Sequence, residues 1–252
     1  MGLAAKPVRL IRVLRWAPGE AERQQVYSIA VGADTTVLDA LVDIQRGQDQ
    51  TLAFRYACRV GMCGSCAVVV NGRERWGCRT RLGTLDADVI DVRPLYHLPL
   101  LRDLVVDMAP FHEKLRAAGA AFVPAAGAPA YAVVAGDSAE RREIDEAIEC
   151  IGCGMCVSAC TMVARAPRFP GPAALNRVFT LRRDRRDAAA AVSWPLLLSD
   201  DTLVRCHGQG NCTAVCPMGL SPERSIAYLK RRGVGRLFGE RRERQLPAAP
   251  VP

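Results

Sequence analysis

No apolar stretch of about 18 residues is free of charge, and a helix needs roughly that length to cross a membrane, so nothing here reads as a membrane span. The start, Met1 to Trp16, carries Lys6, Arg9, Arg12 and Arg15 among its apolar residues and lacks a continuous apolar core. It reads as a strand and not as a signal peptide, which points to the cytoplasm or its equivalent. Aromatic residues are few, at 6%, and form no base-reading surface, so the formal charge of +8 is not taken as a sign of nucleic acid. No acid–base pair, nucleophile triad or phosphate loop can be picked out, and no catalytic residue is assigned. What remains is a chain of 252 residues, half of them apolar, long enough for two ordinary domains each with its own core.

Against those shortages stand eleven cysteines in three groups. Cys150-Ile-Gly-Cys153-Gly-Met-Cys156-Val-Ser-Ala-Cys160 follows C-x2-C-x2-C-x3-C, the run of bacterial two-cluster ferredoxins, whose fourth cysteine ligates the other run's cluster. A partial echo follows as Cys206-His-Gly-Gln209-Gly-Asn-Cys212-Thr-Ala-Val-Cys216-Pro217, with Gln209 where the second cysteine belongs. By the crossed rule, Cys150, Cys153, Cys156 and Cys216 hold a four-iron cluster. Cys160, Cys206 and Cys212 then supply three thiolates with a vacancy at Gln209, which suits a three-iron cluster lacking one corner. A four-iron cluster with Gln209 or His207 as its fourth ligand is the lesser reading. Paired C-x-x-C runs also build zinc sites, but the crossed spacing and the Cys-Pro ending are ferredoxin features.

Nearer the N-terminus, Cys58, Cys63 and Cys66, with Cys78 following, make the C-x4-C-x2-C…C spacing of plant-type two-iron ferredoxins. Gly61 and Gly64 fit a tight loop whose backbone N–H groups can point at cluster sulfurs that side chains would obstruct. A zinc ribbon is the alternative, and the four-residue gap is unusual for one. The three groups use every cysteine, leaving none for a disulfide or a nucleophile, in keeping with a reducing compartment. Thiolate-held clusters carry on the order of two negative charges each when oxidised, so three would offset most of the +8. The basic runs Arg182 to Arg186 and Arg231-Arg232 are read as solvated faces or rim charges.

Val8 to Leu14 and Tyr27 to Val31 read as strands joined by a turn at Pro18-Gly19-Glu20. Asp34 can cap a helix over Thr35 to Gln45, where Val37, Leu38, Leu41 and Ile44 recur at helical spacing. Ala67 to Val70, Asn71-Gly72 and Arg73 to Trp76 form a hairpin signal leading into Cys78. A junction falls near Ala109, dividing a domain 1–108 from a helical domain 109–252. Helices are expected at Phe111 to Ala118, Arg141 to Cys150, Ala173 to Thr180 and Leu196 to Val204, with a surface loop over Ala120 to Gly136.

A plant-type half followed by a bacterial-type half short of one cysteine resembles the iron–sulfur subunit of succinate dehydrogenase and fumarate reductase. The likeness extends to Leu100 to Asp107, Gly171 to Leu175 and the Cys-Pro-Met-Gly-Leu ending at Leu220. It implies an α+β chain: a plant-type ferredoxin (β-grasp) domain, then a mainly α-helical bacterial two-cluster ferredoxin-like domain. It also implies one-electron transfer through [2Fe-2S], [4Fe-4S] and [3Fe-4S] clusters. The partners would be a flavoprotein with covalent FAD near the two-iron cluster and membrane anchor subunits carrying quinone and, in some members, haem. The chain would then sit peripherally on the cytoplasmic face of the inner (cytoplasmic) membrane. Ubiquinone-linked members are expected to follow the fourth cysteine of the first run with proline and then a tryptophan pair. Here Cys160 precedes Thr161-Met-Val-Ala-Arg165, which brings menaquinone-linked fumarate reductases into consideration. A soluble ferredoxin adaptor of another flavoprotein is the remaining alternative. His207 matches the family's histidine near quinone or haem propionates, or is a surface histidine bonding a carbonyl. His97 and His112 match nothing in the family and read as ordinary polar residues, while Trp16, Trp76 and Trp194 read as core or interface aromatics.

Overall fold

A computed structural model describes residues 7–124, 134–184, 186–188 and 194–237. The chain divides into two compact units, one of residues 1–111 with 151–159, the other of residues 112–150 with 160–252.

The first unit is built on a five-stranded sheet of order β2-β1-β5-β3-β4. Its strands are β1 (Val8–Arg15), β2 (Arg23–Ala30), β3 (Ala67–Val70), β4 (Arg73–Trp76) and β5 (Val89–Arg93). β1 pairs antiparallel with β2 and parallel with β5, while β3 lies antiparallel to both β4 and β5. Alternation along the strands sends Ile11, Val13, Tyr27, Ile29, Val68, Val70, Ile90 and Val92 into one apolar core. Helix α1 (Val37–Gly47) closes that core with Val37, Ala40, Leu41 and Ile44. A short ribbon, β6 (Leu100–Arg102) and β7 (Val105–Val106), follows.

Two local expectations change here. Asp34 does not cap α1; Thr36 does, accepting the Asp39 N–H at 3.2 Å while the Asp39 carboxylate accepts the Thr36 N–H at 3.0 Å. This reciprocal pair satisfies two end donors at once, whereas Asp34 stays exposed beside Arg81, 3.4 Å away. The hairpin forms at the residues its Asn-Gly turn predicts, with Val70 opposite Arg73.

The second unit is helical: α2 (Ala109–Ala117) leads into it, followed by α3 (Ala139–Ile148), α5 (Thr161–Arg165), α6 (Pro172–Arg183), α7 (Trp194–Leu197), α8 (Asn211–Ala214) and α9 (Pro222–Leu237). The segment α4 (Met155–Ser158) belongs to the first unit. Helix α6 is buried along almost its whole length and packs against α3 and α9. Asn176 pins the three together: its amide donates to Ala147 O at 2.9 Å and accepts the Ser225 hydroxyl at 2.8 Å. The helix expected over Leu196 to Val204 does not form as one piece. The Thr202 hydroxyl donates to Leu196 O at 2.8 Å, and the chain turns before a single 3-10 turn at Leu203–Arg205. Side-chain bonds of this kind compete with helix continuation. Of the expected loop, 125–133 lies outside the described residues. Among the described residues, no helix is long and apolar enough to cross a membrane.

Candidate iron–sulfur cluster sites

The loop carrying Cys58, Cys63 and Cys66 is anchored at its base by a buried charge network. Arg15, only 2% exposed, donates to Asp103 at 2.9 Å, the Tyr27 hydroxyl at 2.6 Å, Thr51 at 2.8 Å and Asp49. Asp103 in turn accepts the N–H groups of Trp16 at 3.0 Å and Ala53 at 2.8 Å, fixing the point from which the loop departs. Buried charges persist only when paired and hydrogen-bonded in this way. Burial and the bond to Asp49 push the Tyr27 hydroxyl up to about 12. The hydroxyl of Thr51 is the main force holding the Asp49 carboxyl well below the usual carboxylate range, helped by Tyr27 and Arg15.

The loop itself turns through left-handed backbone at Arg59, Gly61 and Gly64. The N–H groups of Met62 and Cys63 point at Cys58 Sγ, at 3.3 and 3.4 Å, and the Cys78 N–H reaches Cys66 Sγ at 3.5 Å. Hairpin β3–β4 delivers Cys78, whose turn is tied to the start of α1 by the Val37 N–H on Thr80 O at 2.8 Å. Cys66 and Cys78 are buried against Leu38 and Val42, while Cys63 is exposed. Backbone N–H groups, that of Met62 first, lower the Cys58 thiol to about 6. Burial pushes Cys66 up to about 12, and the nearby sulfurs of Cys78 and Cys63 add to the rise. Four thiols on one loop and hairpin, with backbone N–H donors aimed at the sulfurs of Cys58 and Cys66, fit a shared iron centre.

Cys153 and Cys156 lie in the first unit, on a loop with left-handed Gly152 and Gly154 that enters the turn α4. This loop is held by Ser158, whose buried hydroxyl donates to Glu74 at 2.7 Å and accepts the Tyr96 N–H at 2.9 Å. Cys150, just past the end of α3, and Cys216, just past α8, belong to the second unit.

In the second unit Cys160, Cys206 and Cys212 line one pocket, with Phe169 and Ile226 among its apolar walls. Gln209 and His207 line it as well, so the residue standing in for a cysteine is at the same site. The Thr161 hydroxyl donates to the Gln209 side-chain oxygen at 2.6 Å. Burial pushes the Cys212 thiol up to about 11, and the sulfurs of Cys160 and Cys206 contribute. Lys230 donates to the Cys206 carbonyl. Among the described residues, no three His, Cys, Asp or Glu side chains converge as the ligands of a single metal ion do. Cys160, Cys206 and Cys212 share one pocket, and thiolates are the donors that iron–sulfur clusters take. The sequence echo is also a structural one: α4 and α8 each follow a left-handed glycine, Gly154 at φ 80° and Gly210 at φ 76°.

Sequence reasoning missed Arg15, Asp49 and Glu74 as supports of these sites. Asp103 was in view only as part of the segment Leu100 to Asp107. His97 and His112 line neither site cavity; Trp16, Trp76 and Trp194 are each half-buried.

Residues 10–113 match the family model of a 2Fe-2S iron–sulfur cluster binding domain, and residues 146–220 that of a 4Fe-4S dicluster domain. The succinate dehydrogenase iron–sulfur subunit of Paracoccus denitrificans is 33% identical over 237 residues, 92% of this chain and 91% of that protein. The mitochondrial succinate dehydrogenase [ubiquinone] iron–sulfur subunit of Candida glabrata is 32% identical over 89% of this chain and 91% of its own length. A chain of the Mycobacterium smegmatis Sdh1 complex in the apo form superposes with a TM-score of 0.83 at 29% identity, covering 93% of this chain and 98% of that one. With its two cluster-binding halves in the same order and matched nearly end to end, the chain belongs to the succinate dehydrogenase iron–sulfur subunit family and is an electron-transfer subunit of succinate:quinone oxidoreductase.

Proposed function

We propose that the chain holds three clusters in the order of its cysteine groups: [2Fe-2S] on Cys58, Cys63, Cys66 and Cys78; [4Fe-4S] on Cys150, Cys153, Cys156 and Cys216; [3Fe-4S] on Cys160, Cys206 and Cys212. The domain division that goes with this assignment is 1–108 and 109–252. The observation that carries the reading is the pocket lined by Cys160, Cys206, Cys212 and Gln209, where a cysteine of the first run joins two of the second and the residue in place of its missing cysteine. When bound, such clusters supply reversible one-electron storage at potentials set by their surroundings. The protein's own part is to aim N–H groups at sulfur, bury Cys66, Cys78, Cys156 and Cys212, and leave the remaining ligands partly or fully exposed.

In this reading FAD on a flavoprotein partner exchanges electrons at the exposed Cys63 face, and quinone at membrane anchor subunits does so near His207. The chain lies on the cytoplasmic face of the membrane, and haem belongs to an anchor. The stretch Thr161 to Arg165 favours a second version of the quinone end, in which menaquinol drives fumarate reduction: the pattern expected for ubiquinone, proline and paired tryptophans, is not there.

The test uses the detergent-purified complex. Gln209→Cys should complete the run and convert the three-iron electron paramagnetic resonance signal into that of a four-iron centre; an unchanged three-iron signal overturns the assignment. Succinate-driven reduction of a ubiquinone analogue against fumarate-driven oxidation of a menaquinol analogue separates the two quinone versions.

A further inference from the structure

Two cysteine loops of different clusters meet within the first unit. Gly64 lies between the ligands Cys63 and Cys66, with left-handed backbone at φ +74°. A Cβ placed on it would stand 2.6 Å from Cys153 Cβ and 3.0 Å from Cys153 Cα, with Ile151 Cδ1 next at 3.4 Å. Carbon atoms in contact sit about 3.5–4.0 Å apart, so only a hydrogen fits between these two backbones. The obstacle is a cluster ligand and its main chain, not the mobile end of a long side chain. Loop 151–159 is also tied down by Ser158, whose hydroxyl donates to buried Glu74 at 2.7 Å.

We infer that Gly64 is a positioning residue that sets the separation between the first and second clusters, by letting the loop of Cys58 to Cys66 rest directly on Cys153. The inference rests on the cluster assignment proposed above. The contact is a short protein route between the two ligand sets: one residue of backbone from Cys63, then Cys153 itself. Cys58, Cys63, Cys66 and Cys78 would hold one group and Cys153 would help hold the other, and one electron could pass between them with no bond formed or broken.

Gly72 supplies the control. It lies in the turn between β3 and β4 at φ +75°, and a Cβ there would meet nothing within 4 Å. Gly64→Ala and Gly72→Ala therefore share the backbone strain and differ in what they push.

The experiment uses the purified complex, reduced with dithionite and read by iron and acid-labile sulfide content, electron paramagnetic resonance and rapid-freeze kinetics. With both clusters present, Gly64→Ala should weaken the magnetic interaction between the reduced first and second clusters and slow their electron exchange several-fold. Gly72→Ala should leave that interaction as it was. An unchanged interaction in Gly64→Ala, or an equal loss in Gly72→Ala, overturns the inference while leaving the cluster assignment standing. Should the Gly64→Ala complex lose a cluster, the unaltered complex still decides: its two reduced clusters must broaden one another's spectra, and independent spectra overturn the inference. Absence of the second cluster's signal in the unaltered complex overturns the assignment itself, and the inference with it.

Discussion

The loop of Cys58 to Cys66 hangs from a finished protein core, whereas Cys160, Cys206 and Cys212 line a pocket among short helices. In the first unit a five-stranded sheet, a helix and a buried arginine network exist independently of any thiol. In the second, Cys160 precedes α5 and Cys212 lies within α8, turns of five and four residues too short to be stable by themselves. Backbone preorganisation does in one unit what ligation does in the other. A metal bound by residues that are not held in place contributes its binding free energy to folding.

The largest effect that would break this contrast is removal of iron. Chelation in the purified complex, followed by hydrogen exchange on peptides, should strip protection from residues 160–165 and 203–217 while β1, β2 and β5 keep theirs. Equal loss in both units would mean that the first also depends on its metal.

Next in size is Asp103→Ala. It leaves Arg15 buried without its main partner and releases the N–H groups of Trp16 and Ala53, so it should cost the first unit about 3–5 kcal/mol. Iron at Cys58 to Cys78 should fall with it while the three-iron signal stays, as denaturant titration and spectroscopy on the same sample would reveal.

A smaller, pH-dependent effect comes from Asp49. Its carboxyl is held below its unfolded value, so its contribution is complete above about pH 4 and is lost as pH falls further. Melting temperature measured against pH should drop in acid for the first unit, and Asp49→Asn should flatten that dependence while lowering stability near neutrality. A steep acid transition that survives Asp49→Asn would assign it to another carboxylate.

The smallest is Thr36→Ala, which removes the side-chain acceptor of the reciprocal cap and should cost about 0.5–2 kcal/mol. Asp34→Ala, at the residue expected to cap the helix, should cost less. Reversal of that order in thermal unfolding would restore Asp34 as the cap.

Much of the architecture was legible because it is written in short-range patterns. The Asn71-Gly72 hairpin appears at the residues predicted, and apolar spacing locates α1, α3 and α6 to within a few residues. Helix 196–204 failed because Ser199 and Thr202 bond neighbouring carbonyls, a competition that hydrophobic spacing does not register. Arg15 illustrates a deeper limit. Among Arg9 and Arg12 on the same strand it reads as one more surface cation, yet its partners at positions 49, 51 and 103 make it one of the most buried side chains in the chain.

Sequence alone determined the number of cysteine groups and their spacings, on which the proposed cluster assignment rests, because ligand spacing along a short loop is a local geometric requirement of a cluster. It also determined the family, through motifs that span almost the whole chain. Only the tertiary structure decided that Gly64 lies on Cys153, that Glu74 holds the loop of Cys153 and Cys156 through Ser158, and that an arginine belongs in the core. Those contacts join residues up to about ninety positions apart, and a contact at that range leaves no periodicity or spacing in the sequence; it exists only once the sheet has brought distant segments together.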